Sequence, residues 1–274
     1  MIVISNSLSL SPTAENPLNT PVFGWESLVT TGNIAATSAA SGFPATNVAN
    51  HSTNLRWRAD PGSPPADQYL TITVSEIDPI DYLAVAVHNF GTGNIPVSVE
   101  GSTGGSPEWF DLNAPRMLAN DEPVIFRFTP QSLSGIRLRM QPGDADPFAA
   151  VLYVGKLLVS PRGTHQDHTP INLGKSVTAP IGVSEAGHFL GRIIISESRA
   201  TTFALRQLTD AFYRTSMQPM VDAMKDTPVF FAWKPTEFPD DMGFVFVTND
   251  PQPSRSFDTR TMSVEFQMMG VALA

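Results

Sequence analysis

The sequence predicts a mainly β protein, an antiparallel sandwich followed by a smaller α+β unit with one helical layer. Three observations carry this. Up to Val159, short apolar segments recur between clusters of Gly, Pro, Asn and Asp, the spacing of a sandwich rather than of a parallel sheet. Charged residues make up only 16% of the 274, beside 24 prolines and 19 glycines, which favours strands and turns over long solvated helices. A persuasive helical spacing of apolar residues occurs once, after Thr202.

The elements follow in order. Ile2 to Ile4 is strand-like and opens an arm, residues 1–22, that reads as an extended or linking segment or as a frayed end. From Val22 to Ala40 the chain is weakly helical, without a clear face. Gly42 to Asn50 is a loop marked by Pro44 and two asparagines, and a polar turn from His51 to Asn54 leads into Trp57. Tyr69 to Val74 alternates Leu70, Ile72 and Val74 with polar neighbours, the period of a half-buried strand. Tyr82 to Asn89 is apolar until His88, which predicts a strand covered on both faces. Ile95 to Glu100, Pro123 to Phe128 and Ser134 to Met140 alternate again, and Ala149 to Val159 supplies two last pieces bent at Gly155. These strands define a unit over residues 23–160.

Residues 161–274 differ. Phe189 to Ile195 is a strand candidate. Leu205, Leu208 and Phe212 fall at helical spacing, predicting the main helix within 202–225, with an interruption at Pro219 and Ser216 near a second N-cap. Val229 to Trp233, Gly243 to Val247 and Thr261 to Met268 are strands, the last with Met262, Val264, Phe266 and Met268 inward.

Composition narrows the function. A hydrophobic content of 42% with 17 phenylalanines supports packed cores. The net charge of −9 argues against nucleic acid, which needs a concentrated basic face, and against adsorption to an anionic membrane. No segment is long and apolar enough to span a bilayer, and the start lacks signal-peptide character, so synthesis and assembly in the cytoplasm are expected. With no cysteine there is no disulfide or thiolate site.

No catalytic signature emerges: there is no nucleophile elbow, phosphate loop or dinucleotide fingerprint, so no enzyme and no cofactor are expected. His165 and His168 stand three apart in a turn-rich passage that favours a solvated loop over a metal site. Asp144 with Asp146, and Asp240 with Asp241, read as turn formers. Trp57 is weighed as a sugar platform and, with more weight, as core packing.

Pro44 to Asn47, Leu55 to Arg58, Tyr69 to Ile72 and Asp81 to Asn89 together resemble a discoidin-like (galactose-binding-like) jelly roll. That resemblance implies glycan contacts from loops at one end, with Trp57, Arg58, His88 and Trp109 as candidates. It also implies an early loop that can hold calcium. Here Asn50 stands where an aspartate is usual and no acid lies between Gly42 and Arg58, so no metal is expected. Phe230 to Pro235, Gly243 to Val247 and Met262 to Val271 look like the C-terminal parts of tail-tip (distal-tail or baseplate) proteins of long-tailed bacteriophages. This second resemblance implies a virion structural protein, a homo-oligomeric ring that joins the tail tube to a baseplate hub and displays the sandwich at its periphery. The subunit contacts it implies are Ile2, Ile4, Met262, Val264, Phe266 and Met268. The alternative is a module protein recognising host-surface glycans.

Overall fold

A computed structural model describes residues 1–4, 19–61, 66–75, 78–104, 108–164, 168–258 and 260–270. The fold is mainly β, with three sheets stacked in layers and a helical segment on the last. The outer sheet runs Ile34–Ala36, Gln68–Thr73, Gly135–Met140, Val97–Ser102, Phe110–Arg116, all antiparallel. The middle sheet runs Ile2–Ile4, Val124–Gln131, Ile80–His88, Phe148–Gly155, Trp57–Arg58, antiparallel except for its first strand. The third runs Leu158–Val159, Val22–Gly24, Val229–Ala232, Met242–Val247, Met262–Gly270, Ser196–Leu208, Lys175–Thr178, with Pro253–Arg255 also on Met262–Gly270.

Alternation sorts the side chains into three cores. Leu70, Ile72, Ile136 and Leu138 of the outer sheet meet Leu83, Val85, Phe126 and Trp57 of the middle sheet. The opposite parity of the middle strands, Tyr82, Ala84, Ile125 and Tyr153, meets Val22, Phe230 and Phe244 of the third. Hence Ile80–His88 is buried along both faces, as its unbroken apolar run predicts. The other face of the third sheet packs Phe203, Phe231 and Phe266 beneath Met217, Met220 and Val221 of the helical layer. Phe203 stacks on Phe231 with ring centroids 4.7 Å apart and on Phe266 at 5.1 Å.

The strands flanking the sandwich in sequence pair with each other: Phe23 lies opposite Leu158 and Val22 opposite Val159. The chain bends after Gly155 as expected, and the two pieces of 149–159 lie in different sheets. Gly24 is required where the pair leaves the third sheet, since a Cβ there would stand 2.9 Å from the Tyr82 ring.

Several expectations are corrected. Val22 to Ala40 contains the strands Val22–Gly24 and Ile34–Ala36, not helix. Leu205 and Leu208 belong to the strand Ser196–Leu208, and the helical segment starts at Asp210, capped by the Thr209 hydroxyl accepting the Phe212 N–H at 3.2 Å. A register shift between Leu205 and Leu208, with Gln207 at φ 58°, breaks the two-residue parity and turns both leucines inward. Bulge spacing thus imitates helical spacing. The expected interruption is a change of winding, and Pro219 stands in the first turn of the resumed piece. The helix widens into a π-helical turn over Tyr213–Met217 and resumes at Gln218–Ala223, so Ser216 caps nothing.

The expected subunit contacts are also corrected. Ile2, Met262, Val264, Phe266 and Met268 are buried within their own chain. Met262–Gly270 is an interior strand flanked by Met242–Val247 and Ser196–Leu208, so it offers no open edge. Ile2–Ile4 lies parallel to Val124–Gln131, with Ile4 opposite Arg127, and occupies that sheet edge intramolecularly. The rest of the expected arm up to residue 18 lies outside the described residues.

Candidate functional site

The four candidate contact residues do not converge. Trp57 is fully buried between the outer and middle sheets, its indole N–H donating to the Ser38 carbonyl at 2.8 Å. It is packing, not a platform. His88 is buried as well, stacked on Phe90 at 4.4 Å. Its Nδ1 accepts the Phe90 N–H at 3.3 Å, so Nε2 carries the proton donated to the Glu122 carbonyl at 2.9 Å. Burial lowers its pKa to about 4 and keeps the ring neutral, which suits a structural strut and removes it from any ligand surface.

Trp109 is half-buried on the outer face of the sandwich, lying over Gly135. The Arg137 guanidinium sits 4.2 Å from its ring centroid and 4.1 Å from that of Tyr69. Glu100, 5% exposed, ties this group together through Arg137 at 2.5 Å and Arg139 at 3.3 Å, and Arg139 reaches Asp67 at 2.6 Å. Charges and rings here satisfy one another, so the network fixes the sheet surface rather than waiting for a ligand.

Arg58 lies at the opposite end of Gly135–Met140, beside a cleft of about 290 Å³ lined by Asp60, Gln68, Gln141, Asp144 and Asp146. Its guanidinium pairs with Asp146 at 3.2 Å, both side chains well exposed. The frame is rigid. Asn94 donates to the Asp144 carboxylate at 2.6 Å, and the Asp144 N–H donates to the Gly93 carbonyl at 2.7 Å. Asn89 holds Asp146 and Phe148 at once, donating to the Asp146 carbonyl and accepting the Phe148 N–H, both at 2.9 Å. Gly143 permits the close approach of these loops, since a Cβ would stand 2.7 Å from the Asn94 carbonyl oxygen. On the far wall Ser38 donates to Gln68 at 2.7 Å. Beside the cleft, Arg56 covers Phe148 at 4.9 Å from its centroid. The result is a row of fixed oxygen acceptors with one guanidinium, suited to ligands that present several hydroxyl groups.

Asp144 and Asp146 read in the sequence as turn formers, and they lie in the irregular segment between Gly135–Met140 and Phe148–Gly155, with a bend at Asp144. What makes them a site is the contact of Arg58 from a strand far away in sequence, which spacing alone does not display. Among the described residues no three His, Asp or Glu side chains form a metal cluster. His168 is half-buried against Trp233 at 4.5 Å and Phe203 at 5.8 Å, while His165 lies outside the described residues. Asp241 accepts the Trp233 indole N–H at 3.1 Å. No described helix is long and apolar enough to cross a membrane.

The third sheet carries the second notable surface. Beyond Lys175–Thr178 the chain extends as the hairpin Ile181–Val183 and Phe189–Arg192, which pair only with each other. Ile181, Val183, Phe189 and Leu190, then Ile193, Ile194 and Ile195, are each 58–75% exposed.

No protein-family model and no curated protein matches this sequence. Among solved structures, the chain is similar to chitosan-binding module 1 of a chitosanase/glucanase from Paenibacillus sp. IK-5, at 13% identity over 47% of this chain and 98% of the module, with a TM-score of 0.40. It is similar to a CBM32 module of a family 31 glycoside hydrolase from Clostridium perfringens, at 16% identity over 47% and 94%, TM-score 0.37. A family 32 module of C. perfringens NanJ, solved with galactose, gives 15% identity over 50% and 99%, TM-score 0.40.

Proposed function

We propose that this chain is a non-catalytic recognition protein whose sandwich takes a glycan at the loop-end cleft. The observation that carries the reading is the cleft itself, where Asp60, Gln68, Asp144 and Asp146 face one space with Arg58 at its rim. Vicinal sugar hydroxyls donate to carboxylate and amide oxygens and accept from guanidinium, so one ring can engage several of these groups at once. A glycan array probed with the full chain, followed by titration of the best ligand, tests it. Saturable binding that falls at least tenfold in Asp144→Ala and in Arg58→Ala, with an unchanged circular dichroism spectrum, is the expected result. Absence of saturable binding to any glycan overturns it.

A second reading is a subunit of a long-tailed bacteriophage tail tip that assembles as a ring between tail tube and hub and works in the virion. The apolar hairpin beyond Thr178 favours it, because uncovered apolar strands mark surfaces that assemble. Negative-stain microscopy of the purified chain tests this reading, with rings expected and isolated monomers counting against it.

A further inference from the structure

The ribbon from Ile181 to Ile195 has the physics of an interface and no cover among the described residues. Phe189 and Leu190 are adjacent and exposed at 68% and 69%, so successive side chains place apolar surface on both faces of the hairpin. Its seven exposed apolar residues leave on the order of 800 Å² uncovered over the two faces together, about one partner's share of a standard interface. A two-stranded ribbon in water is marginally stable at best, and a third strand or a packed face is what stabilises one.

The charges say what covers it. Between Pro180 and Ile195 the ribbon holds one acid, Glu185 at the tip, and one strong base, Arg192 at the root, opposite Ile181. Neither belongs to any of the ion pairs found among the described residues, whereas Lys175 and Glu197 nearby are paired at 3.2 Å. A single acid at one end and a single base at the other is self-complementary under a two-fold axis. Two ribbons laid antiparallel bring the tip of each to the root of the other and form the Glu185–Arg192 pair twice.

We propose that the ribbon Ile181–Ile195 is a self-association arm whose partner is the same arm of a second copy of this chain. The proposal goes beyond both functional readings, since it needs neither a glycan nor a ring. The arm lies outside all three cores, so its variants retain the fold.

Analytical ultracentrifugation of the full chain tests it. The wild type is expected to form an even-numbered assembly, and Leu190→Ser with Ile194→Ser to sediment as monomer with an unchanged circular dichroism spectrum. Glu185→Arg and Arg192→Glu are each expected to weaken association at least tenfold, and the two together to restore it. A wild type that stays monomeric at high concentration overturns the proposal and the ring reading together. Assembly that survives Leu190→Ser with Ile194→Ser overturns the arm alone and leaves the ring reading standing. Failure of the paired charge reversal to restore association overturns the two-fold pairing.

Discussion

The strand Ile80–His88 and the ribbon Ile181–Ile195 are both rich in successive apolar residues, yet the first is buried on both faces and the second is exposed on both. The strand sits in the middle of three sheets, where its two parities feed two different cores. The ribbon has the same two-faced composition and, among the described residues, no sheet of its own chain above or below it. An unbroken apolar strand therefore states only that both faces want cover. Whether the cover comes from the same chain is decided by the layers around it.

The largest effects should come from the side of this comparison that is covered. Phe230 contacts Tyr153 at 5.2 Å and Phe244 at 4.8 Å between the middle and third sheets, so Phe230→Ala should cost about 3–5 kcal/mol in urea denaturation. Because this core is shared by sandwich strands and third-sheet strands, the wild type should unfold in one transition by both fluorescence and circular dichroism. Two separated transitions, with only one moved by Phe230→Ala, would show that the middle and third sheets do not stabilise each other.

Much of this architecture was legible in the sequence. Alternation at Ile72, Leu138 and Phe266 identified inward faces because each lies on a regular strand with a single dry side. Gln207 marks where legibility ended. Its bulge shifts parity, and the residues after it mimic helical spacing. His88 was misjudged for another reason, while Trp57 packs in the core as its weightier reading expected. The residue type of His88 suggests a polar contact, while burial is fixed by strands distant in sequence. The cleft had only Arg58 in view, since its acidic wall forms when 141–147 folds beside Asn89 and Asn94. The interior position of Met262–Gly270 was not legible because the sequence of an edge strand and that of a central strand with one dry face look alike until the neighbours are known.

A second prediction sharpens the covered side through pH. Burial raises the Asp81 carboxyl to about 6, against the Leu157 N–H that donates to it at 2.7 Å and the attraction of Arg127. The folded chain then holds a proton that the unfolded chain releases at its ordinary value of 3.8, so the stability tied to it is full below that value and is lost as pH rises through 6. Asp81→Asn cannot titrate and keeps an acceptor for Leu157. Relative to wild type it should gain about 3 kcal/mol between pH 3.5 and pH 7.5, read from urea midpoints at the two values. A relative loss over that range would mean that Arg127 outweighs burial and holds the carboxyl low.

The His88 contribution runs the other way. Its ring stays neutral in the fold down to about 4, whereas in the unfolded chain it takes up a proton near 6.5. Stability is therefore present above 6.5 and lost as pH falls toward 4. In wild type Asp81 opposes His88, and with it the buried Met1 amine, which burial likewise lowers to about 5. Asp81→Asn removes the opposing group, so acidification from pH 6 to 4.5 should cost the variant more than wild type, and an equal loss in both would contradict the opposition.

A smaller effect is expected at the helical layer. Thr209→Ala removes the hydroxyl that accepts the Phe212 N–H and should cost about 1 kcal/mol, while Thr209→Asp should retain most of it. Equal losses in both variants would place the cost in packing rather than in the cap.

The smallest effect belongs to the exposed side. Leu190 is 69% exposed and touches none of the three cores, so Leu190→Ser removes almost no burial from the folded monomer. At submicromolar concentration its urea midpoint should match wild type to within about 0.5 kcal/mol, an effect several-fold below that of Phe230→Ala. The informative measurement is the concentration dependence. Wild-type midpoints should rise with protein concentration, since association stabilises only the folded chain, and Leu190→Ser should flatten that rise. A loss of 2 kcal/mol or more at the lowest concentration would instead mean that Leu190 packs within its own chain, and the contrast between the two apolar stretches would collapse.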